Sequence, residues 1–250
     1  MASGRLGQLR LVHGAYLQDW LSDPGDYNWR VDAAVGGISR AFADIGTHLF
    51  DTVEFIAGAR AQAVMADLAT LVPIRQRPAR SGAAFSAGAG STEPVAIDTE
   101  DAATVLVRFE DGARGSLIVS QVSPGHKNDL TVELSGSEGS LRWAQERPER
   151  LWLGSRRESV LQHRAPSGDG WPVGVPALPA GHPEGWGEAL RDVLRPFYAA
   201  IAAGEPPPDD ADALYPTLAD GARGVAVIEA VVESSKIGAW VDVRPIGPMA

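Results

Sequence analysis

Within GGISRAFADIGTHLFD, residues 36–51, Asp44 and His48 stand four residues apart behind a glycine pair, Gly36 and Gly37. On a regular helix that spacing puts a carboxylate and an imidazole on one face. An unperturbed imidazole titrates near pH 6.5, which suits proton transfer at working pH, and base catalysis of this kind contributes roughly 10²–10⁴-fold. The same pair also occurs as a surface ion pair or around a structural histidine, so the spacing alone leaves both readings open. Asp51 extends the pair into a face that zinc or manganese could use, but no second group of ligands is evident, so no metal is expected. The glycines most simply allow a tight backbone path into the helix. Their functional alternative is a close approach of that backbone to a substrate or a nicotinamide.

The elements that must carry these residues follow from hydrophobic spacing. Phe42, Ile45, Leu49, Val53 and Ile56 recur at three and four, which predicts a helix with one buried stripe. Ser39 is the expected N-cap, and Gly58 the expected stop. Asp44, His48, Asp51 and Phe55 then fall along a neighbouring face. Ahead of the helix, RLGQLRLVHGAYLQDWL alternates as a strand, with Leu9, Leu11, Ala15 and Leu17 set against Arg10, Val12, Tyr16 and Gln18. Tyr16, Gln18 and Trp20 alternate together, as a polar-aromatic wall for a polyol or as ordinary sheet packing. Asp23-Pro24-Gly25-Asp26 is turn chemistry. Arg30 and Arg40 flank the start of the helix, where they would bind a carboxylate or hydroxyls, or simply be solvated. His182, in the Pro/Gly-rich stretch 165–187, is a candidate to reach a substrate pocket from a loop. His13, His126 and His163 have no motif around them and read as structural or surface residues.

Further along, AQAVMADLATLVPI reads as a strand and residues 76–94 as an exposed small-residue loop. Two hairpins follow, around Glu110-Asp111-Gly112 and around Gly136-Ser137-Glu138-Gly139, with ERLWLGSR adding a strand. EALRDVLRPFYAAIAAG is helical with a kink or break expected at Pro196, EPPPDD is a stiff connector, and a last long helix leads to a closing strand, WVDVRP. Antiparallel strands in succession after a helix predict an α+β fold, a sheet layered against helices. No repeat or internal boundary is evident, so residues 1–250 read as a single domain.

Composition removes several functions. A net charge of −10 argues against general binding to nucleic acid or anionic membranes. With no cysteine there are no disulfides or thiolate metal sites. No secretory signal or membrane-spanning run is evident, and a cytoplasmic location is expected. A dinucleotide-binding chain should carry a glycine-rich turn between a strand and a helix. Gly88-Ala89-Gly90 follows no strand and opens no helix, and no phosphate-binding G-x-x-x-x-G-K-[ST] occurs.

At YLQDWL, YNWRVDAAVGG and DIGTH, and on through EDAATVLVRFEDGARGS, SGSEGSLRWAQERPERLWLG, GHPEGWGEALRDVLRPFYAAI and YPTLADGARGVAVIEAVVES, the chain resembles the Gfo/Idh/MocA family of sugar and cyclitol oxidoreductases. The resemblance spans essentially the whole chain but only the second half of that family. It implies a large open-faced, mostly antiparallel sheet with helices on one face, which holds substrate and builds oligomers. It also implies a missing Rossmann half, and hence NAD or NADP bound mainly by residues outside this chain, with little turnover by the chain alone. On that resemblance His48 is the general base, and Asp44 orients it or holds a substrate hydroxyl. Substrate would be a sugar or polyol oxidised at a secondary alcohol, and the exposed sheet face would pair with a second copy. The alternative is a sugar-binding or dimerisation module that has lost its chemistry.

Overall fold

The computed structural model describes residues 4–79, 91–164, 178–179, 181–204 and 215–244. Nine strands form one sheet in the order β10-β9-β8-β7-β1-β6-β5-β2-β11. They are β1 (Leu9–Leu17), β2 (Ala61–Ala69), β5 (Ala102–Phe109), β6 (Arg114–Ser120), β7 (Asp129–Gly136), β8 (Ser140–Ala144), β9 (Arg150–Gly154), β10 (Ser159–His163) and β11 (Val241–Asp242). Only β1 and β6 run parallel; every other neighbouring pair is antiparallel. A small second sheet pairs β3 (Ile74–Pro78) with β4 (Thr92–Ala96). The fold is therefore the α+β open sheet expected.

Alternation decides which face is inside. Along β5 the residues Ala103, Val105, Val107 and Phe109 are buried, while Thr104, Leu106 and Arg108 are exposed. In β1 a register shift between Leu9 and Leu11 changes the phase, so Leu9, Val12 and Tyr16 are buried and Leu11 is 50% exposed. Leu11 is thus not on the inner face that simple alternation gives it. The inner face is covered by α2 (Thr47–Ala57) and α4 (Leu218–Ile237). Leu49, Phe50 and Val53 of the first, and Val227, Ala230 and Val231 of the second, join Val64, Val105, Leu117, Val119 and Val132 in one core. Gly14 sits where α2 comes down on β1: a Cβ there would lie 2.9 Å from Thr131 O and 3.1 Å from Leu49 Cδ1.

Helix α4 starts at a capping box between Thr217 and Asp220 and stops at Gly238. It is fastened to β2 by Ser234 Oγ, which accepts from Ala66 N at 2.9 Å. Helix α3 (Trp186–Ala203) runs through Pro196 without a break, and none of its residues is buried. Gly58 ends α2 as expected, in the left-handed conformation at φ 65°.

Three further expectations change. The strand read through residue 74 stops at Ala69 and a separate strand, β3, begins at Ile74. The loop expected at 76–94 has strand at both ends, in β3 and β4, while residues 80–90, like the 205–210 connector, lie outside the described residues. Ser39 does not cap the helix with its own oxygen: its hydroxyl donates to Glu100, which takes over that role. Among the described residues no helix is long and apolar enough to cross a membrane.

Candidate active site

Three neighbouring strands bring polar side chains to one end of the inner face. β1 and β6 run toward that end and β7 away from it, with Leu17 opposite both Ser120 and Asp129. The inward alternation of each strand continues one step past its last apolar residue. Leu117 and Val119 are followed by Gln121, Leu130 is preceded by Asn128, and Tyr16 is followed by Gln18. Tyr16 hydroxyl donates to Asn128 Oδ1 at 2.5 Å, Gln18 Nε2 donates to the same oxygen at 3.1 Å, and Trp20 Nε1 donates to Gln18 Oε1 at 2.8 Å. The expected wall of Tyr16, Gln18 and Trp20 is thus one bonded group, and Asn128 is its hub. Burial pushes the Tyr16 phenol up, a hydrogen bond with Gln145 pulls the other way, and the negative charge of Asp44 adds to the rise.

Asp44 reaches this group from the helix. The chain approaches through a turn at Trp29–Val31 and a single helical turn, α1 (Ala33–Gly36), capped by Asn28 and Asp32 through their side-chain oxygens. Gly36 is needed because a Cβ would meet Arg30 O at 2.8 Å, and Gly37 because its φ is +92°. Glu100, 4% exposed, then sets the helix start: its Oε1 accepts from Ser39 Oγ at 2.8 Å and from the N–H groups of Arg40 and Phe42 at 2.9 Å each. The next turn, Phe42–Gly46, is π-helical, with Thr47 N–H donating to Phe42 O. Gly46 permits it, since a Cβ there would lie 2.5 Å from the Phe42 ring.

Asp44 and His48 have different neighbours. Asp44 Oδ2 accepts from Gln121 Nε2 at 2.7 Å, and Asp44 Oδ1 lies 3.4 Å from Arg30 Nε. His48 is exposed and has no hydrogen-bond partner among the described residues. It lines a cavity of about 360 Å³ between α2 and α4, with Asp51, Glu54, Arg60, Asp220 and Arg223. No hydrogen bond or ion pair joins Asp44 to the imidazole among the described residues. The carboxylate that feels the charge of His48 is Asp51, whose own pKa is raised by desolvation at the cavity wall and by Asp220 and Glu54. Glu54 is saturated: Arg223 grips both its oxygens at 2.7 and 2.6 Å, and Arg60 and Ala61 N add bonds at 3.1 and 2.7 Å. Burial alone would raise Glu54, but these donors hold it below the ordinary carboxylate range. It is an anchor for α4, not a proton donor.

Two expected substrate contacts move elsewhere. Arg40 is 2% exposed and its guanidinium is spent on Asp101, Thr99 and Gln121, so no part of it faces a ligand. Its burial pulls its pKa down and Asp101 pulls it back up. His182 is held at the β9–β10 edge, where Arg164 Nη2 donates to its carbonyl at 2.6 Å, and none of its hydrogen bonds reaches the Asp44 group. Arg30 does stand at the site, stacked 4.7 Å over the Trp29 ring. Gln121 and Asn128 escaped the sequence reading, although a polar residue that extends an inward apolar alternation is the signal that marks both. No group of three or more potential metal ligands occurs among the described residues.

These features define an α+β domain made of one open sheet under two helices, with its polar side chains gathered at one end of three central strands. Residues 1–142 match the GFO/IDH/MocA C-terminal domain model, and the chain belongs to that family. It is 33% identical, over 97% of its length, to levoglucosan dehydrogenase of Pseudarthrobacter phenanthrenivorans, of which it covers 62%. A solved apo levoglucosan dehydrogenase superposes with a TM-score of 0.81 at 30% identity, covering 98% of this chain and 62% of that one. A levoglucosan dehydrogenase solved with NADH and levoglucosan gives 0.74 at 28%, with the same coverage. The chain thus spans about three-fifths of the length of these relatives, and their nucleotide-binding region lies outside the aligned part.

Proposed function

We propose that this chain is the substrate domain of an NAD(P)-dependent dehydrogenase that oxidises a secondary alcohol of a sugar, anhydrosugar or cyclitol. The observation that carries the reading is the bonded group of Tyr16, Gln18, Trp20 and Asn128 beside Asp44, with His48 one turn further along the same helix segment. Hydroxyl-rich ligands need alternating donors and acceptors with an aromatic surface, and this group supplies both. Asp44 accepts a hydrogen bond from a substrate hydroxyl, with Arg30 beside it. His48, open to solvent, takes the hydroxyl proton as general base. Gly37 leaves bare backbone on the approach to the helix, with nothing within 4 Å of a Cβ position, so a flat ring can lie against it. NAD or NADP, held chiefly by residues outside this chain, accepts the hydride.

The outer sheet face supports assembly with a second copy. Leu11, Met65, Leu106 and Ile118 lie exposed on adjacent strands, at 50, 36, 43 and 47%. No helix covers that face among the described residues.

The reading is tested in two steps. Levoglucosan and myo-inositol are titrated into the chain by calorimetry. Binding that is lost in Asp44→Ala and kept in His48→Ala supports the site, and absence of binding by all sugars tried refutes it. The polypeptide purified from its source cells is then assayed for sugar-dependent reduction of NAD⁺ and NADP⁺. His48→Ala should lower kcat by about 10²–10⁴-fold. A native polypeptide that binds sugar but reduces neither cofactor returns the binding-module alternative.

A further inference from the structure

Asp44 is the outermost member of a chain of side chains that begins in the core. Arg75, fully buried, donates to Asp101 Oδ1 at 2.8 Å and to the carbonyls of Leu21, Asp23 and Asp26. Asp101 Oδ1 also accepts from Arg40 Nη2, and its Oδ2 accepts from the N–H groups of Leu71 and Val72 at 2.7 Å each. Arg40 is fixed on three sides: Nη2 on Asp101, Nε on Thr99 Oγ1 at 3.2 Å, and its backbone N–H on Glu100. Its remaining donor, Nη1, points at Gln121 Oε1 at 3.2 Å.

A guanidinium can only donate, so Gln121 must turn its oxygen to Arg40 and its NH₂ to Asp44. The amide is completely buried. The direction of every bond from Arg75 to Asp44 is therefore set by the charged core.

The geometry points to Gln121 as the positioning residue of this site, a one-way amide that holds Asp44 as an acceptor at the sheet end. The inference rests on the reading of Asp44 as the acceptor for a substrate hydroxyl. It deepens that reading by dividing the labour: Gln121 and the core fix Asp44 for binding, while His48 is left free for the proton. With Oδ2 taken at 2.7 Å and Oδ1 only 3.4 Å from Arg30 Nε, Oδ1 is the oxygen with capacity to accept a substrate O–H.

The test uses the whole 250-residue chain. In ¹⁵N-resolved NMR the Gln121 side-chain NH₂ pair should be protected from solvent exchange, should shift in Asp44→Ala, and should stay in place in His48→Ala. Gln121→Glu keeps the acceptor that Arg40 needs but sets a carboxylate oxygen against Asp44, where the two repel. Sugar affinity should fall at least 10-fold in that variant. Adding Asp44→Asn to Gln121→Glu supplies an NH₂ from the other side and should restore the melting temperature that Gln121→Glu loses, because the bond re-forms with its polarity reversed.

A Gln121 amide that exchanges freely or ignores Asp44→Ala overturns the inference, as does wild-type sugar affinity in Gln121→Glu. If the unaltered chain binds no sugar, the substrate reading falls on its own, and the NMR result and the polarity reversal still decide the role of Gln121.

Discussion

Asp101→Asn changes one buried atom and tests whether the charged core holds the site. The wild-type carboxylate accepts four bonds, two on each oxygen, from Arg40 and Arg75 on one side and from the N–H groups of Leu71 and Val72 on the other. An asparagine of the same shape must turn its NH₂ to one side or the other. Whichever it chooses, that group faces two donors, and two fully buried guanidiniums lose their counter-charge. Breaking a buried ion pair by removing one partner costs about 3–5 kcal/mol. That is a large part of the ~5–15 kcal/mol that holds a domain together. At roughly 2–4 °C per kcal/mol for a chain of this size, the melting temperature should drop by about 6–20 °C. Urea unfolding followed by tryptophan fluorescence reads the free energy directly. The pH dependence gives a second check. Burial acts to raise the Asp101 carboxyl, but the Val72 N–H and the two arginines hold it below the usual range. Its folded-state pKa lies below the unfolded value of about 3.9, so its contribution is complete above that pH and is lost as pH falls through the depressed value. The gap between wild type and Asp101→Asn should hold steady from about pH 8 to pH 5 and narrow only in stronger acid. A gap below about 1 kcal/mol at pH 7, or one that closes between pH 8 and 5, refutes the reasoning.

Asp51 carries the opposite sign. Its folded-state pKa is raised, so whatever stability it contributes is present below the unfolded pKa and lost as pH rises through the folded one. Asp51→Asn should therefore raise the melting temperature at pH 7 and leave it unchanged below about pH 4, as scanning calorimetry would show. Gly14→Ala places a methyl 2.9 Å from Thr131 O and 3.1 Å from Leu49, and overpacking of this kind should cost about 1–3 kcal/mol in urea unfolding. Leu106→Arg puts a charge in the middle of the exposed sheet face; light scattering is expected to find the unaltered chain associated and the variant shifted toward monomer, with far-UV circular dichroism unchanged.

How much of this was legible depended on whether the determining contacts were local. The strands β5 and β6 were plain because their alternation and the Glu110-Asp111-Gly112 turn lie in one short stretch, and Gly112 takes the φ of +90° that the turn requires. The phase of β1 was not, because its bulge between Leu9 and Leu11 is fixed by pairing to Ser135 and Gly136, more than a hundred residues away. Ser39 looked like a cap since Ser at that place usually is one. Its hydroxyl instead donates to Glu100, 61 positions on, which no local pattern shows. Arg40 looked like a surface cation for the same reason: its partner Asp101 is distant in sequence and adjacent only once β5 is in place.

The candidate site turns on a single departure from regular geometry. Between Phe42 and Thr47 the hydrogen bond spans five residues, where a regular helix has four. Asp44 is left facing the sheet end, where Gln121, Tyr16 and Arg30 surround it, and His48 opens onto the cavity under α4. Such widened turns recur at functional sites. Here Asp44 is bonded to a core-locked amide, and no hydrogen bond among the described residues joins it to His48. The sequence signal was Gly46, the residue whose missing side chain lets the Phe42 ring close over the wide turn. Gly46→Ala should collide with that ring and disturb the turn that carries Asp44, which scanning calorimetry would read as a melting temperature lowered by an overpacking cost of about 1–3 kcal/mol.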